Sequence, residues 1–133
     1  MNNRSKYNVD NSPIGKLKRT YQGILFDSQL ECRFYKEYLL PKLKKGMIKS
    51  IKRQVRYKLL PSFIYVYDGK KQRAIEYISD FDVLYSDNSF MVIDVKGMVK
   101  PIDRLKAKLF RYKYPDINLK FAEYTKSHEW QFN

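Results

Sequence analysis

Residues 90–97 read Phe90-Met91-Val92-Ile93-Asp94-Val95-Lys96-Gly97. An apolar run of this length, closed by a glycine, predicts a strand at the centre of a sheet. Upstream of it, Ala74 to Tyr85 predicts a second strand, joined through a turn at Ser86-Asp87-Asn88. Phe63 to Tyr67 predicts a third, linked to the second by Asp68-Gly69-Lys70. Downstream, Lys100 to Tyr114 predicts a helix with Pro101 near its first position and Asp103 in its first turn. Ile102, Leu105, Leu109 and Tyr112 share one side of that helix, and Arg104, Lys108 and Arg111 share another. Pro115-Asp116 ends it, and Ile117, Leu119 and Phe121 predict a last strand.

Farther upstream, Ser28-Gln29-Leu30-Glu31 matches the S-x-x-E capping box that opens helices. Leu30, Phe34, Tyr35, Tyr38 and Leu39 follow at helical spacing, and Pro41 and Gly46 are expected to end the helix. Met47 to Leu60 alternates loosely between apolar and basic residues, as a half-buried strand does. Helix, strands, helix and strand in this order predict an α/β fold, a mixed β-sheet flanked by helices. Residues 21–133 are expected to form this single small domain. Residues 1–20, polar and basic without periodicity, are expected to be a flexible N-terminal arm.

The chain has 133 residues and 27 Lys+Arg against 14 Asp+Glu, a net charge of +13. Its 44% hydrophobic and 16% aromatic content is enough for a core and excludes wholesale disorder. A single cysteine excludes a disulfide framework and a cysteine-built zinc site. No run approaches the ~18 apolar residues of a membrane helix, and no apolar leader follows Met1, so a soluble cytoplasmic protein with no membrane partner is expected. The positive excess points to a polyanionic partner, nucleic acid before membrane.

Between Glu37 and Asp68 there is no acid, while Lys42, Lys44, Lys45, Lys49, Lys52, Arg53, Arg56 and Lys58 crowd the interval. This reads either as a solvated basic face or as a surface that tracks phosphates. An unbalanced run of one sign is costly without an anionic partner, which favours phosphates. Lys49, Lys52, Arg53 and Arg56 here, and Lys100, Arg104, Lys108 and Arg111 on the second helix, are the candidate nucleic-acid contacts.

Against that background the acids stand out. Asp94 and Lys96, two apart on a strand, project from one face. They read either as a surface ion pair or as part of a Mg²⁺ site, in which carboxylate oxygens hold the cation and the lysine serves the attacking water. Asp80 precedes Asp94 at hairpin distance. A four-residue turn at Ser86 to Ser89 would pair Asp80 with Val95 and set the two carboxylates on opposite faces. A three-residue turn, Ser86-Asp87-Asn88, pairs Asp80 with Asp94, and asparagine tolerates the left-handed conformation such turns use. Glu31 has an adequate structural reason as the third residue of a capping box. It also borders the apolar helix face and looks inward.

At these residues the chain resembles the PD-(D/E)xK nuclease superfamily, which has the restriction-endonuclease-like fold, and within it the small phage endonuclease I-type Holliday junction resolvases. The matching order is Phe26-Asp27-Ser28-Gln29-Leu30-Glu31 on the first helix, Tyr77-Ile78-Ser79-Asp80-Phe81 on a strand and Val92-Ile93-Asp94-Val95-Lys96-Gly97 on its neighbour. The basic helix and the strand Ile117 to Phe121 then follow, so the likeness covers roughly residues 21 to 121. Ser79 stands where the motif's name has proline, a common variation. The resemblance implies that Asp80, Asp94 and the Val95 carbonyl bind Mg²⁺, or Mn²⁺ in its place. It further implies that Lys96 acts on the attacking water and that Glu31 binds or orients a second cation. Asp82 shares a strand face with Asp80 and is an alternative ligand, and Gln54 matches loosely a polar residue near the site. The resemblance also implies a homodimer acting on branched DNA in the cytoplasm of a bacterial host, with strand exchange through Lys42 to Lys58 as one candidate connection.

A competing reading from another class is a basic nucleic-acid-binding module without catalysis, its carboxylates merely paired with lysines and arginines. His128 is expected on the surface and Cys32 in the core. Most aromatics are expected in the core, with Tyr57, Tyr65 or Tyr67 available to stack on unpaired bases.

Overall fold

The computed structural model describes residues 9–133. Its first helix, α1 (Pro13–Lys18), starts where the Ser12 hydroxyl accepts the Gly15 N–H at 3.1 Å, with proline at the first position. Part of the expected arm is therefore ordered; its residues 1–8 lie outside the described residues. The ordering has a polar cause. Arg19 is buried, and its guanidinium donates to the Phe26 carbonyl and to Asn11, each at 2.7 Å.

A short hairpin, β1 (Thr20–Tyr21) and β2 (Ile24–Leu25), leads into α2 (Gln29–Phe34), capped by Ser28. The helix widens into a π-helical turn at Tyr35–Leu39 and continues as α3 (Leu40–Lys44). Pro41 does not end it, because it sits in the first turn of α3, where a missing N–H is tolerated. The chain instead turns out at Gly46, whose φ of +76° is open to glycine.

The expected strands Met47 to Leu60 and Ala74 to Tyr85 both break, and they break opposite each other. The first divides into β3 (Ile48–Arg53) and β4 (Arg56–Leu60) at Gln54, a left-handed residue with φ 53°. β5 (Phe63–Ile64) and β6 (Lys71–Gln72) follow as a small hairpin. The second then divides into β7 (Ile75–Ile78) and β8 (Phe81–Tyr85) at Ser79-Asp80. Across the break, Val55 N–H donates to the Ser79 hydroxyl at 3.2 Å and Ser79 N–H to the Val55 carbonyl at 2.9 Å. β3 and β8 stay in the main sheet, whereas β4 and β7 pair separately as an arm tipped by β5 and β6.

β9 (Phe90–Val95), α4 (Pro101–Lys113), β10 (Asn118–Tyr124) and β11 (Trp130–Phe132) complete the chain. The five-stranded sheet runs β11-β10-β9-β8-β3, with β9 parallel to β10 and the other neighbours antiparallel. The fold is thus α/β with a mixed sheet. Alternation along β9 sorts its two cores: Ile93 and Val95 join Phe26, Phe34 and Phe81, and Val92 joins Ala107, Phe110 and Leu119. α4 packs through Ala107 and Phe110, not through the apolar side the sequence picks out. Ile102 is 55% exposed and Tyr112 88%. The small Ala107 lets the helix approach the sheet and the Phe110 ring fills the gap, so volume rather than apolar count selects the face.

The Tyr85 N–H bonds the Ser89 carbonyl at 2.9 Å, leaving a three-residue turn in which Asn88 has φ 69°. The β8–β9 register follows, Phe81 opposite Ile93 and Asp82 opposite Val92, which carries on to Asp80 beside Asp94. Asn88→Val is expected to destabilise the fold by about 1–2 kcal/mol through left-handed strain, and Asn88→Gly to leave it nearly unchanged, measured by urea unfolding.

Candidate functional site

Three carboxylates meet at the break in the hairpin. Asp27, Glu31 and Asp80 each bring an oxygen to within 4.8 Å of the others. Ser28 accepts the Glu31 N–H at 3.0 Å, which fixes the first turn of α2. The Glu31 side chain turns inward, is 2% exposed, and stands 3.6 Å from the Arg53 guanidinium. Its Oε1 is buried with no hydrogen-bond partner. Burial first, then the charge of Asp27, raises its pKa to about 7 despite Arg53.

Asp80 occupies the bend between β7 and β8, and its Oδ2 accepts the Val95 N–H at 2.7 Å. Burial raises its pKa well above the usual carboxylate range, and the neighbouring charges of Asp94 and Glu31 raise it further. Asp94 is 8% exposed and accepts the Tyr77 hydroxyl proton at 2.7 Å. Lys96 lies 3.4 Å from Asp94 and 3.4 Å from Asp103, in the first turn of α4. Burial works against its charge, but Asp94, Asp103 and Asp80 outweigh that and raise its pKa, so the amine keeps its proton.

Glu31, Asp80, Asp94 and Lys96 therefore converge. Of the two aspartates, Asp80 groups with Asp27 and Glu31, whereas Asp82 is buried and accepts the hydroxyl of Tyr57. Tyr57 is thereby taken into the core against Phe110 and is not free to stack on bases. Val95 enters through its N–H, which holds Asp80 in place. Cys32 is a buried core thiol whose pKa burial pushes up, and His128 lies on an exposed turn.

The expected nucleic-acid contacts divide. Lys52, Lys100, Arg104 and Lys108 are exposed. Arg56 is exposed but paired with Glu76 at 3.0 Å, and Arg111 donates to the Leu119 carbonyl at 2.8 Å. Arg53 turns inward over the Phe26 ring at 4.5 Å, and so serves the acid cluster. Lys49 bonds Asn88 in the β8–β9 turn. That is the far end of the hairpin from Asp80, about 17 Å at strand spacing.

Three contributors escaped the sequence reading. Asp27 is one helical turn before Glu31, a spacing that signals a shared face. Tyr77 precedes Asp80 by three residues and gives no such signal. Asp103 was legible only as a helix-start residue; its N–H partner at Lys100 confirms that role, and the Lys96 contact is additional. Gln54 donates to Asp27 at 3.1 Å and its N–H to the Asp80 carbonyl at 3.3 Å, so the left-handed break braces the cluster.

Fold and site together define an α/β protein with a partly buried acid–lysine cluster beside a basic exterior. The chain belongs to the family described as protein of unknown function (DUF1064), whose model matches residues 4–130. No curated protein matches it. No helix among the described residues is long and apolar enough to cross a membrane.

Proposed function

We propose that the protein is a divalent-metal-dependent DNA endonuclease of the PD-(D/E)xK superfamily, acting on branched DNA as a homodimer with one cluster in each protomer. The observation that carries this is the buried Glu31 carboxylate, grouped with Asp27 and Asp80 and with one oxygen left without a hydrogen-bond partner. Burial, and then the charges of neighbouring carboxylates, raise the pKa of Glu31 and of Asp80; a hard cation such as Mg²⁺ or Mn²⁺ fits this all-oxygen set. Asp27, Glu31 and Asp80 would hold it, with Asp94 adjoining and the Val95 carbonyl as a further oxygen. Such a cation supplies charge stabilisation to the phosphorane-like transition state and activates water.

The protein's own groups supply the rest. Lys96, kept protonated by Asp94 and Asp103, orients the attacking water or donates to the developing phosphate charge. Tyr77 fixes Asp94, and the Val95 N–H fixes Asp80. Exposed Lys52, Lys100, Arg104 and Lys108 grip the backbone.

The pairing of Lys96 with Asp94 and Asp103 favours a second reading, a binding module whose acids are internally neutralised. A cleavage assay with Mg²⁺ or Mn²⁺ on four-way junction, linear duplex and single-stranded DNA separates the two. Metal-dependent nicking, strongest on the junction, is the expected result. Binding to all three without cleavage under either metal would leave only the module.

A further inference from the structure

The β4–β7 arm leaves the sheet beside Asp80 and ends in a tip that contributes little to either core. Within it Ile64 is 62% exposed, Val66 82% and Tyr67 87%, with Phe63 and Tyr65 also exposed. The tip is nonetheless well built. Tyr65 N–H donates to the Lys70 carbonyl at 2.9 Å and Gly69 N–H to the Tyr65 carbonyl at 2.8 Å. Gly69 has φ 68°, and the Asp68 carboxylate accepts the Lys70 N–H at 2.9 Å. The Tyr65 and Tyr67 rings lie 5.7 Å apart, centre to centre.

Folding does not explain so many apolar side chains presented outward from a fixed turn. Their surroundings indicate the occupant. Lys70, Lys71 and Arg73 are exposed beside them, and the nearby acid, Asp68, is turned to its own turn. These cations would repel a second copy docking tip to tip, and an uncharged apolar partner would not require them. An exposed aromatic ring flanked by exposed cations matches a base flanked by phosphates.

We propose that the tip is a stacking wedge for DNA with unstacked bases, such as a bulge or branch point. Tyr67 stacks on an exposed base, while Lys70, Lys71 and Arg73 take the flanking phosphates. The inference rests on the nuclease reading for its choice of DNA and deepens it, because it places substrate selection at a distance from hydrolysis. From Asp80 back to Asp68 the chain spans at most about 40 Å when extended, so the wedge reaches up to roughly one duplex turn from the acids.

The test uses the full chain with Tyr67→Ser and Tyr67→Trp. Binding is measured in EDTA to a linear duplex and to a four-way junction and a bulged duplex carrying 2-aminopurine at the unpaired or branch position. Tyr67→Ser is expected to weaken binding to the junction and the bulge by about tenfold, the loss of one base–aromatic stack. The same variant is expected to leave duplex binding unchanged and to abolish the 2-aminopurine response, and Tyr67→Trp to restore both. Equal weakening on all substrates, no weakening on any, or no binding by the wild type would overturn the wedge. So would a dimer that becomes monomeric on Tyr67→Ser in sedimentation velocity. Because the readouts need no metal and no cleavage, an inactive wild type would remove the nuclease reading while leaving this test decisive.

Discussion

Asp80→Asn is expected to slow metal-dependent strand cleavage by about 10²–10³-fold, the usual consequence of removing one preorganised charge from a transition state. The substitution is isosteric and keeps an oxygen for the Val95 N–H, so the loss would not be a loss of fold. What disappears is the negative charge facing Glu31 and Asp27. Lys96→Ala is expected to fall as far, because no other described cation sits between Asp94 and Asp103. DNA affinity should survive in both, since the exposed lysines and arginines proposed to contact phosphates lie elsewhere. Asp82→Asn is the matched control: it touches Tyr57 and should affect stability more than turnover. Single-turnover rates with saturating enzyme give these comparisons, and an Asp80→Asn rate within threefold of wild type would remove Asp80 from the chemistry.

The second large effect is on stability and its pH dependence. The folded-state pKa of Glu31 is raised to about 7, chiefly by burial and then by Asp27. Between the ordinary carboxylate range and that value, the unfolded chain has lost its proton while the folded one retains it. The folded state then binds more protons, so stability falls as pH rises through this window, and above it the full cost is present. Glu31→Gln removes the ionisable group. In EDTA it should be more stable than wild type by about 2 kcal/mol at pH 8 and nearly equal to it at pH 4.5. Adding Mg²⁺ at pH 8 should close the gap by stabilising the wild type preferentially. Urea titrations at the two pH values measure this; a Glu31→Gln protein no more stable than wild type at pH 8 would mean the buried carboxylate is not held under electrostatic strain.

Most of what positions the site was legible because it depends on periodicity. The period of two along a strand ties the facing of Asp80 and Asp94 to the length of one turn, and Asn88 carries the conformation that the odd length requires. The capping box placed Glu31, but spacing alone could not show that its carboxylate would turn to Arg53. Eight similar cations crowd that stretch, and only packing over Phe26 selects Arg53 from among them. Left-handed glutamine leaves no mark in a sequence, so the twin breaks at Gln54 and Ser79 were invisible, and with them the arm. The packing face of α4 was missed for a different reason. Counting apolar side chains favours Ile102, Leu105, Leu109 and Tyr112, whereas the fit against the sheet depends on the sizes of Ala107 and Phe110.

The contrast between the enclosed acids and the open lysines has a consequence for how the molecule responds to salt. At physiological ionic strength, charges in open solvent are screened over about 8 Å, whereas charges sealed from water are screened far less. Glu31 and Asp94 belong to the second kind, and Lys52, Arg104 and Lys108 to the first. Added salt should therefore loosen the proposed grip on DNA steeply while leaving the cluster's internal balance nearly as it was. The protein carries two electrostatic systems that an experimenter can dial apart with potassium chloride alone.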